Sequence, residues 1–373
     1  MGTTAKLAAS RHPEWGITNR VTALWERDGV DRLTGFGNMY HPTVLRVEDP
    51  QWPWRMWFFG WAVEDCNPGW PGCDAIFLGR SRDLRAWDVY QGDGGWDGGA
   101  GNPASWAPVL AAGETQPWDT WHNGDASIVR RDGRFHMAYS ATGGDLPNGV
   151  PSCVMGAVSE DGVNWTRSEQ PIAIHPLELE VRQTAAARAG LPAGTGVERC
   201  GSYHRPSLLF DDGRWKLWFD YHDVAPTVSP SIVGYAEADP EDFMKPGGFR
   251  LVRVPGEHPV KLNFPNPDVI RVGDVYHAFG DPHVDSADAW TSRKITHALS
   301  DDGLDWTVVG HVEADSDCPA MMVPVAHLLE QDGRRWLAVW YACQRGGQPY
   351  DFRFDRIRMM RIELAESGLP KGW

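Results

Sequence analysis

Carboxylates and imidazoles recur at the starts of similar short segments along this chain of 373 residues. Asp125 stands in GDAS, His41 in HPTV, His204 and Arg205 in HRPS, and Asn266 with Asp268 in NPDV. Asp220 and Asp281 close aromatic runs in WFDYHD and FGDPH. Glu198 precedes HRPS in VERCGSYHRP, and Glu64 and Asp65 follow the first aromatic strand. A carboxylate beside an imidazole can move a proton, and two imidazoles with carboxylates can hold zinc or another divalent ion. The guanidinium fork of Arg205 suits a carboxylate, sulfate or phosphate. Trp61, Trp121 and Trp340 offer rings for stacking on a flat ligand, and His122 adjoins them. Each residue also has a scaffold reading. Asp125 can orient a neighbouring backbone, the histidines can bond to rim carbonyls, and Arg205 can simply pair Asp125.

The elements that must carry these residues repeat. Five segments share a small or apolar strand, a polar Gly turn and an aromatic strand. They begin at His41, Asp125, Arg205, Asn266 and Val325, and four turn through RDGR, DDGR, VGDV and QDGRR. Gly or Asp in such turns supplies a left-handed backbone. Phe135, Trp215, Tyr276 and Trp336 align across copies, with Met56 in the first. A second unit follows, as in VMGAVSEDGVNW and ITHALSDDGLDW, where a strand ends in a Ser/Asp/Gly turn that delivers an aromatic. The fifth copy, RIRMMRIEL, has the strand without the turn. Three or four strands per repeat, five times over, predict an all-β chain: a five-bladed β-propeller of four-stranded antiparallel blades. It is expected to be one domain over residues 1–373, with blades starting near 38, 122, 203, 264 and 321. The N-terminal stretch 15–30, through RVTALWER (20–27), is expected to close the fifth blade. The best helical window, LELEVRQTAAARAG (177–190), falls in a connection.

Short turns fall on one face of such a fold and long loops on the other. The long ones are 63–73, 143–152, 221–231, 281–294 and 344–351, with the connections 91–121 and 168–203. Function sits on long loops of a rigid scaffold, so the site is expected there, around the central axis. Composition narrows the ligand. With 35 basic against 50 acidic residues, the formal charge is −15, which repels nucleic acid and anionic membranes. There are 20 Trp, more than Tyr or Phe; Trp87, Trp165, Trp215 and Trp306 sit where blade packing needs them. The six cysteines have no zinc-type spacing. They read as reduced and mostly buried, although Cys66 and Cys73 bracket a turn-rich loop. No signal-peptide core or membrane span is visible, which leaves two expectations, a cytoplasmic protein or a secreted one whose leader has been removed.

The strand starts HPTV, GDAS, HRPS and NPDV, the strand YSATGG and the turns SEDGVNWT and SDDGLDWT resemble those of five-bladed β-propeller glycoside hydrolases. These form the broad group around families 43, 32, 62, 117 and 130, and the resemblance covers about residues 38–365. It implies three carboxylates at the starts of innermost strands. Family 43 carries an Asp base in blade one, an Asp pKa modulator in blade two and a Glu acid in blade three. Here Asp125 matches the second position, His41 stands in the first and Arg205, after His204, in the third. The chain departs from that triad at two of three positions. Family 117 offers a parallel, since a His is proposed there as general acid.

The resemblance implies a glycoside hydrolase acting on a small saccharide, with one protonated group at the leaving oxygen and one ionised group near the anomeric carbon. Asp125, His204, Asp220 and Glu198 are the catalytic candidates. His41, Trp61, Trp121, His122, Arg205, Asn266, Asp268, Asp281 and Trp340 are the substrate-binding ones. No cofactor is expected to be required, although a structural divalent cation in the central pore has family precedent. Three other readings stay open. One is a sugar-binding propeller without catalysis. A second is a phosphorylase, with Arg205 and Arg345 holding phosphate. The third is a metal-dependent lyase or hydrolase built on His41, His204 and Asp.

Overall fold

Three of the four described Asp-Gly pairs with both residues in the left-handed region join the first two strands of a blade. They are Asp132 and Gly133 (φ 51° and 78°), Asp212 and Gly213 (51° and 74°), and Asp332 and Gly333 (51° and 71°). Two consecutive positive φ values make the tight hairpin whose twist matches its strands. These turns join His122–Arg131 to Arg134–Thr142, Ser202–Asp211 to Arg214–His222, and Ala320–Gln331 to Arg334–Gln344. The computed structural model describes residues 5–6, 10–12, 36–62, 74–102, 105–111, 118–120, 122–142, 152–173, 202–222, 232–253, 260, 262, 266–282, 294–312, 318, 320–344 and 356–372.

The fold is an all-β five-bladed β-propeller. Blade one comprises Phe36–Arg46, Trp54–Ala62, Asp74–Ser81 and Trp87–Gly92, extended by Gly95–Asp97. Blade two adds Cys153–Ser159 and Thr166–Arg167 to its hairpin; blade three adds Ile232–Ala238 and Arg250–Arg253. Blade four is Asp268–Val272, Val275–Gly280, Thr296–Ser300 and Thr307–His311. Blade five completes its hairpin with Arg356–Leu364 and, as fourth strand, Ser10–His12. The segment 20–27 lies outside the described residues, as does the window 177–190. Ala5–Lys6 pairs in parallel with the outer strand of blade four.

The Ser/Asp/Gly turns are built alike. In blade two, Ser159 Oγ accepts the Gly162 N–H (2.8 Å), and Asp161 Oδ1 accepts those of Val163 and Asn164 (both 2.8 Å). Ser300 and Asp302 repeat this with Gly303, Leu304 and Asp305, and Ser81 and Asp83 with Leu84, Arg85 and Ala86. Each turn ends in a Trp whose indole N–H returns to it: Trp87 to Leu84 O, Trp165 to Gly162 O and Trp306 to Gly303 O. Those tryptophans are therefore architectural.

By contacts the chain divides into two compact units. The first holds residues 1–64, 77–108 and 266–373, with blades one, four and five; the second holds 65–76 and 109–265, with blades two and three. In the first, Val272, Phe279, Ile295, Met321, Leu337 and Met360 form one buried cluster across blades four and five. Trp340 is also interior there, 1% exposed and edge-on to Trp87 at 5.8 Å. It was expected at the ligand face; burial on the second strand of blade five makes it a packing residue instead. In the second unit Trp215 packs on Phe210, His136 and Phe243. Cys318 and Cys343, both fully buried, form a disulfide, which corrects the expectation of reduced thiols throughout. Cys153 is buried, its Sγ 3.6 Å from Ala141 O, and Cys66, Cys73 and Cys200 lie outside the described residues.

Candidate active site

One residue per blade, never a glycine, is left-handed at an equivalent place on the first strand or, for Asn266, two residues before it. These are His41 (φ 48°), Asp125 (48°), Arg205 (50°), Asn266 (54°) and Val323 (48°). Side chains other than Gly, Asn, Asp and His rarely adopt this shape, and a β-branched one is an outlier. The pairing register slips at that point: between Gly124 and Ser127, between His204 and Ser207, and between Met322 and Val325. Proline follows the kinked residue in four of the five, where the broken ladder leaves no bond for an N–H to make. Such bulges re-aim a side chain and cluster at functional sites.

The strained shape is held by side chains of the preceding blade. In the second unit Ser140 Oγ accepts the Arg205 N–H (2.7 Å), and Ser127 Oγ accepts that of Leu208 (2.9 Å). In the first unit the same two places are filled by carboxylates. Asp281 Oδ2 accepts the Val323 N–H (3.2 Å), and Asp268 Oδ2 that of Ala326 (2.7 Å). Asn266 Nδ2 donates to the other Asp281 oxygen. Asp268 and Asp281, expected to bind substrate, are buried, and each holds a backbone amide where blade two to three uses serines.

Asp125, His204, Arg205 and Asp220 come together in the second unit. His204 Nε2 lies 3.1 Å from Asp125 Oδ2. Arg205 bridges the two carboxylates, with Nε 3.9 Å from Asp125 Oδ2 and Nη1 3.9 Å from Asp220 Oδ2. His204 and Asp220 face each other across the hairpin. The side chains of Asp125 and Asp220 are 3% and 0% exposed, those of His204 and Arg205 28% and 21%. The imidazole and guanidinium are therefore the solvent-reaching groups of the four, with the carboxylates behind them. A carboxylate that fixes one ring nitrogen sets the tautomer and steadies the imidazolium, the arrangement a proton-transferring histidine needs.

The other candidates are found in the first unit, on the strand before Asp125, or outside the described residues. His41 and Asn266 are buried in the first unit, and His122 is half-buried on the strand leading to Asp125. Trp61 lies on the second strand of blade one, its side chain outside the described set. Trp121, Glu198, Glu64, Asp65 and Arg345 also lie outside the described residues. Among the described residues no group of three or more His, Cys, Asp or Glu is gathered to hold a metal ion, and no helix is long and apolar enough to cross a membrane. Sequence reading missed Val323, whose copy it began two residues late at Val325; the Pro following it was the available signal. It also missed Ser140, although YSATGG contains it, and a buried Asp119, which no local motif marks.

No protein-family model matches the chain, and no curated protein matches it. Solved structures do. A thermostable family-43 glycoside hydrolase is 16% identical with a TM-score of 0.56, covering 91% of this chain and 94% of its own. A family 117 glycoside hydrolase of the marine bacterium Zobellia galactanivorans is 12% identical with a TM-score of 0.58, covering 96% and 90%. An N-acetylgalactosamine deacetylase from F. plautii, in complex with blood group B trisaccharide, is 16% identical with a TM-score of 0.57, covering 95% and 96%. The fold is that of the five-bladed β-propeller glycoside hydrolases. It also carries other saccharide chemistry.

Proposed function

We propose that this protein is a glycoside hydrolase acting on a small saccharide, with His204, held by Asp125, as its proton-transferring group. The observation that carries the reading is the 3.1 Å contact between His204 Nε2 and the buried Asp125 carboxylate, on a fold shared with glycoside hydrolases of two families. His204 protonates the leaving oxygen as the glycosidic bond breaks, and Asp125 stabilises the imidazolium from which that proton comes. Arg205, tied between Asp125 and Asp220, presents its remaining donors to sugar hydroxyls. The second group that glycoside hydrolysis requires is assigned to Glu198, on the connection entering blade three. Saccharide complexes are known for structural neighbours, a blood group B trisaccharide among them.

The test is a panel of aryl glycosides and oligosaccharides, assayed with and without phosphate and with EDTA, for wild type and His204→Gln. Hydrolysis independent of phosphate and EDTA, lost in His204→Gln, supports the reading. Turnover only with phosphate identifies a phosphorylase, and loss with EDTA a metal enzyme. Saccharide binding without turnover identifies a binding propeller, and any of these three outcomes rejects hydrolysis by this pair.

A further inference from the structure

The chain enters blade two through a connection whose last residues are pinned by charge. Asp119 is fully buried, and its Oδ2 lies 2.6 Å from Arg167 Nη1, on the outermost strand of the same blade. The other Arg167 nitrogen donates to Ala111 O at 2.6 Å. Tyr139, on the second strand, points its hydroxyl at the same Asp119 oxygen (3.5 Å). Burial, then the Asp119 charge, push that phenol well above its ordinary range, so it stays a donor. Asn123 Nδ2 closes the loop on itself, donating to Ala111 O and Asp119 O (both 2.9 Å). Asp119 Oδ1 has no hydrogen-bond partner among the described residues.

A buried carboxylate with one bare oxygen is a poor device for stability alone, since an apolar pair of similar volume often serves as well. Its placement suggests another use. Asn123 is two residues before Asp125, and Gly124 between them pairs with Ser140, whose hydroxyl holds the backbone N–H of Arg205. The anchored connection therefore sets the start of the strand at the kink that aims Asp125 at His204.

We propose that Asp119 and Arg167 are positioning residues: their ion pair fixes the connection entering blade two and so holds Asp125 against His204. The proposal rests on the Asp125–His204 reading only for its effect on turnover, because its effect on geometry can be read without a substrate. With its Nε2–H held on Asp125, the His204 ring is locked in one tautomer and offers a lone pair only at Nδ1; released, its proton can move between the two nitrogens, so that Nε2 in the Nδ1–H tautomer also becomes open to acylation. Diethylpyrocarbonate modification of His204, followed by peptide mapping of the full chain, reports this, with His311 in the first unit as internal reference.

Arg167→Met is expected to raise the His204 rate roughly fivefold relative to His311, and Arg167→Lys, which keeps a cation for Asp119, to stay near wild type. The double variant Asp119→Leu/Arg167→Met removes both charges and serves if the single variant does not fold. It is expected to keep the wild-type melting temperature while still exposing His204. Wild-type modification rates in a folded single or double variant would overturn the proposal. On any glycoside that the wild type cleaves, kcat is expected to fall about tenfold with KM held. If the wild type cleaves none, the hydrolase reading fails while the modification result still decides the positioning role.

Discussion

His204 Nε2 stands 3.1 Å from the Oδ2 of Asp125, with the imidazole reaching the surface and the carboxylate sealed behind it. If this pair moves the proton, removing the negative charge while keeping the shape is the sharpest perturbation. Asp125→Asn is expected to lower kcat roughly 10²- to 10⁴-fold on any cleaved glycoside, with an unchanged far-ultraviolet spectrum. An unaltered kcat removes Asp125 from the chemistry.

The buried histidines of blade four should make stability pH-dependent. His277 Nδ1 and His297 Nε2 are 3.0 Å apart, and the His297 ring stacks on Phe279 at 4.4 Å. Burial pushes His277 from 6.5 down to about 4, against a backbone contact from Gly368 that raises it. Burial, then the neighbouring His277, hold His297 well below 6.5. Both are neutral when folded, so their contribution is complete above pH 6.5. It is lost as pH falls toward 4, where the unfolded chain takes protons that the fold refuses. Unfolding free energies from urea titrations between pH 7 and pH 4 should fall in wild type by up to about 1.4 kcal/mol per pH unit per ring. The slope should be shallower in His277→Leu; parallel profiles count against the pair. Asp161 and Asp302 act in a separate window. Burial raises them, but backbone N–H bonds outweigh it and hold both below 3.8, so their contribution goes only at more acid pH.

Gly234 pairs with Phe219 in blade three, and a Cβ there would sit 2.4 Å from the Phe219 ring. Gly234→Ala is expected to cost about 1–3 kcal/mol through overpacking. It should also perturb Asp220, the next residue after Phe219. A thermal midpoint equal to wild type contradicts the close packing.

At Gly213 the opposite holds: φ is 74° and a Cβ meets nothing within 4 Å. Gly213→Ala should therefore cost only the left-handed penalty, about 1–2 kcal/mol, with the site intact. A loss several times larger implies a contact absent from this turn.

The turns and blades were legible because their residues are dictated locally. Asp-Gly pairs must go left-handed, and Ser/Asp/Gly turns must satisfy their own N–H groups. Asp125 was legible through GDAS. The rest of the site was not, because its unity is backbone shape. His41, Asp125, Arg205, Asn266 and Val323 share a kink, not a chemistry, and the fifth went unrecognised for that reason. Asp268 and Asp281 looked like ligand groups because sequence cannot show that amides already occupy them. Asp119 and Arg167 are joined only through the fold, and Trp340 is interior for reasons of register.

The fourth strand of blade five has a consequence for how the chain is made. Ser10–His12 pairs with Arg356–Leu364, and Ala5–Lys6 with the outer edge of blade four. During synthesis these first strands emerge roughly 300 residues ahead of their partners, a wait on the order of tens of seconds at usual elongation rates. Until then the nascent chain carries two unpaired strand segments that other β-edges can capture. Blade five is completed only once Arg356–Leu364 has been made, so its closure waits on a strand encoded far downstream of its partner.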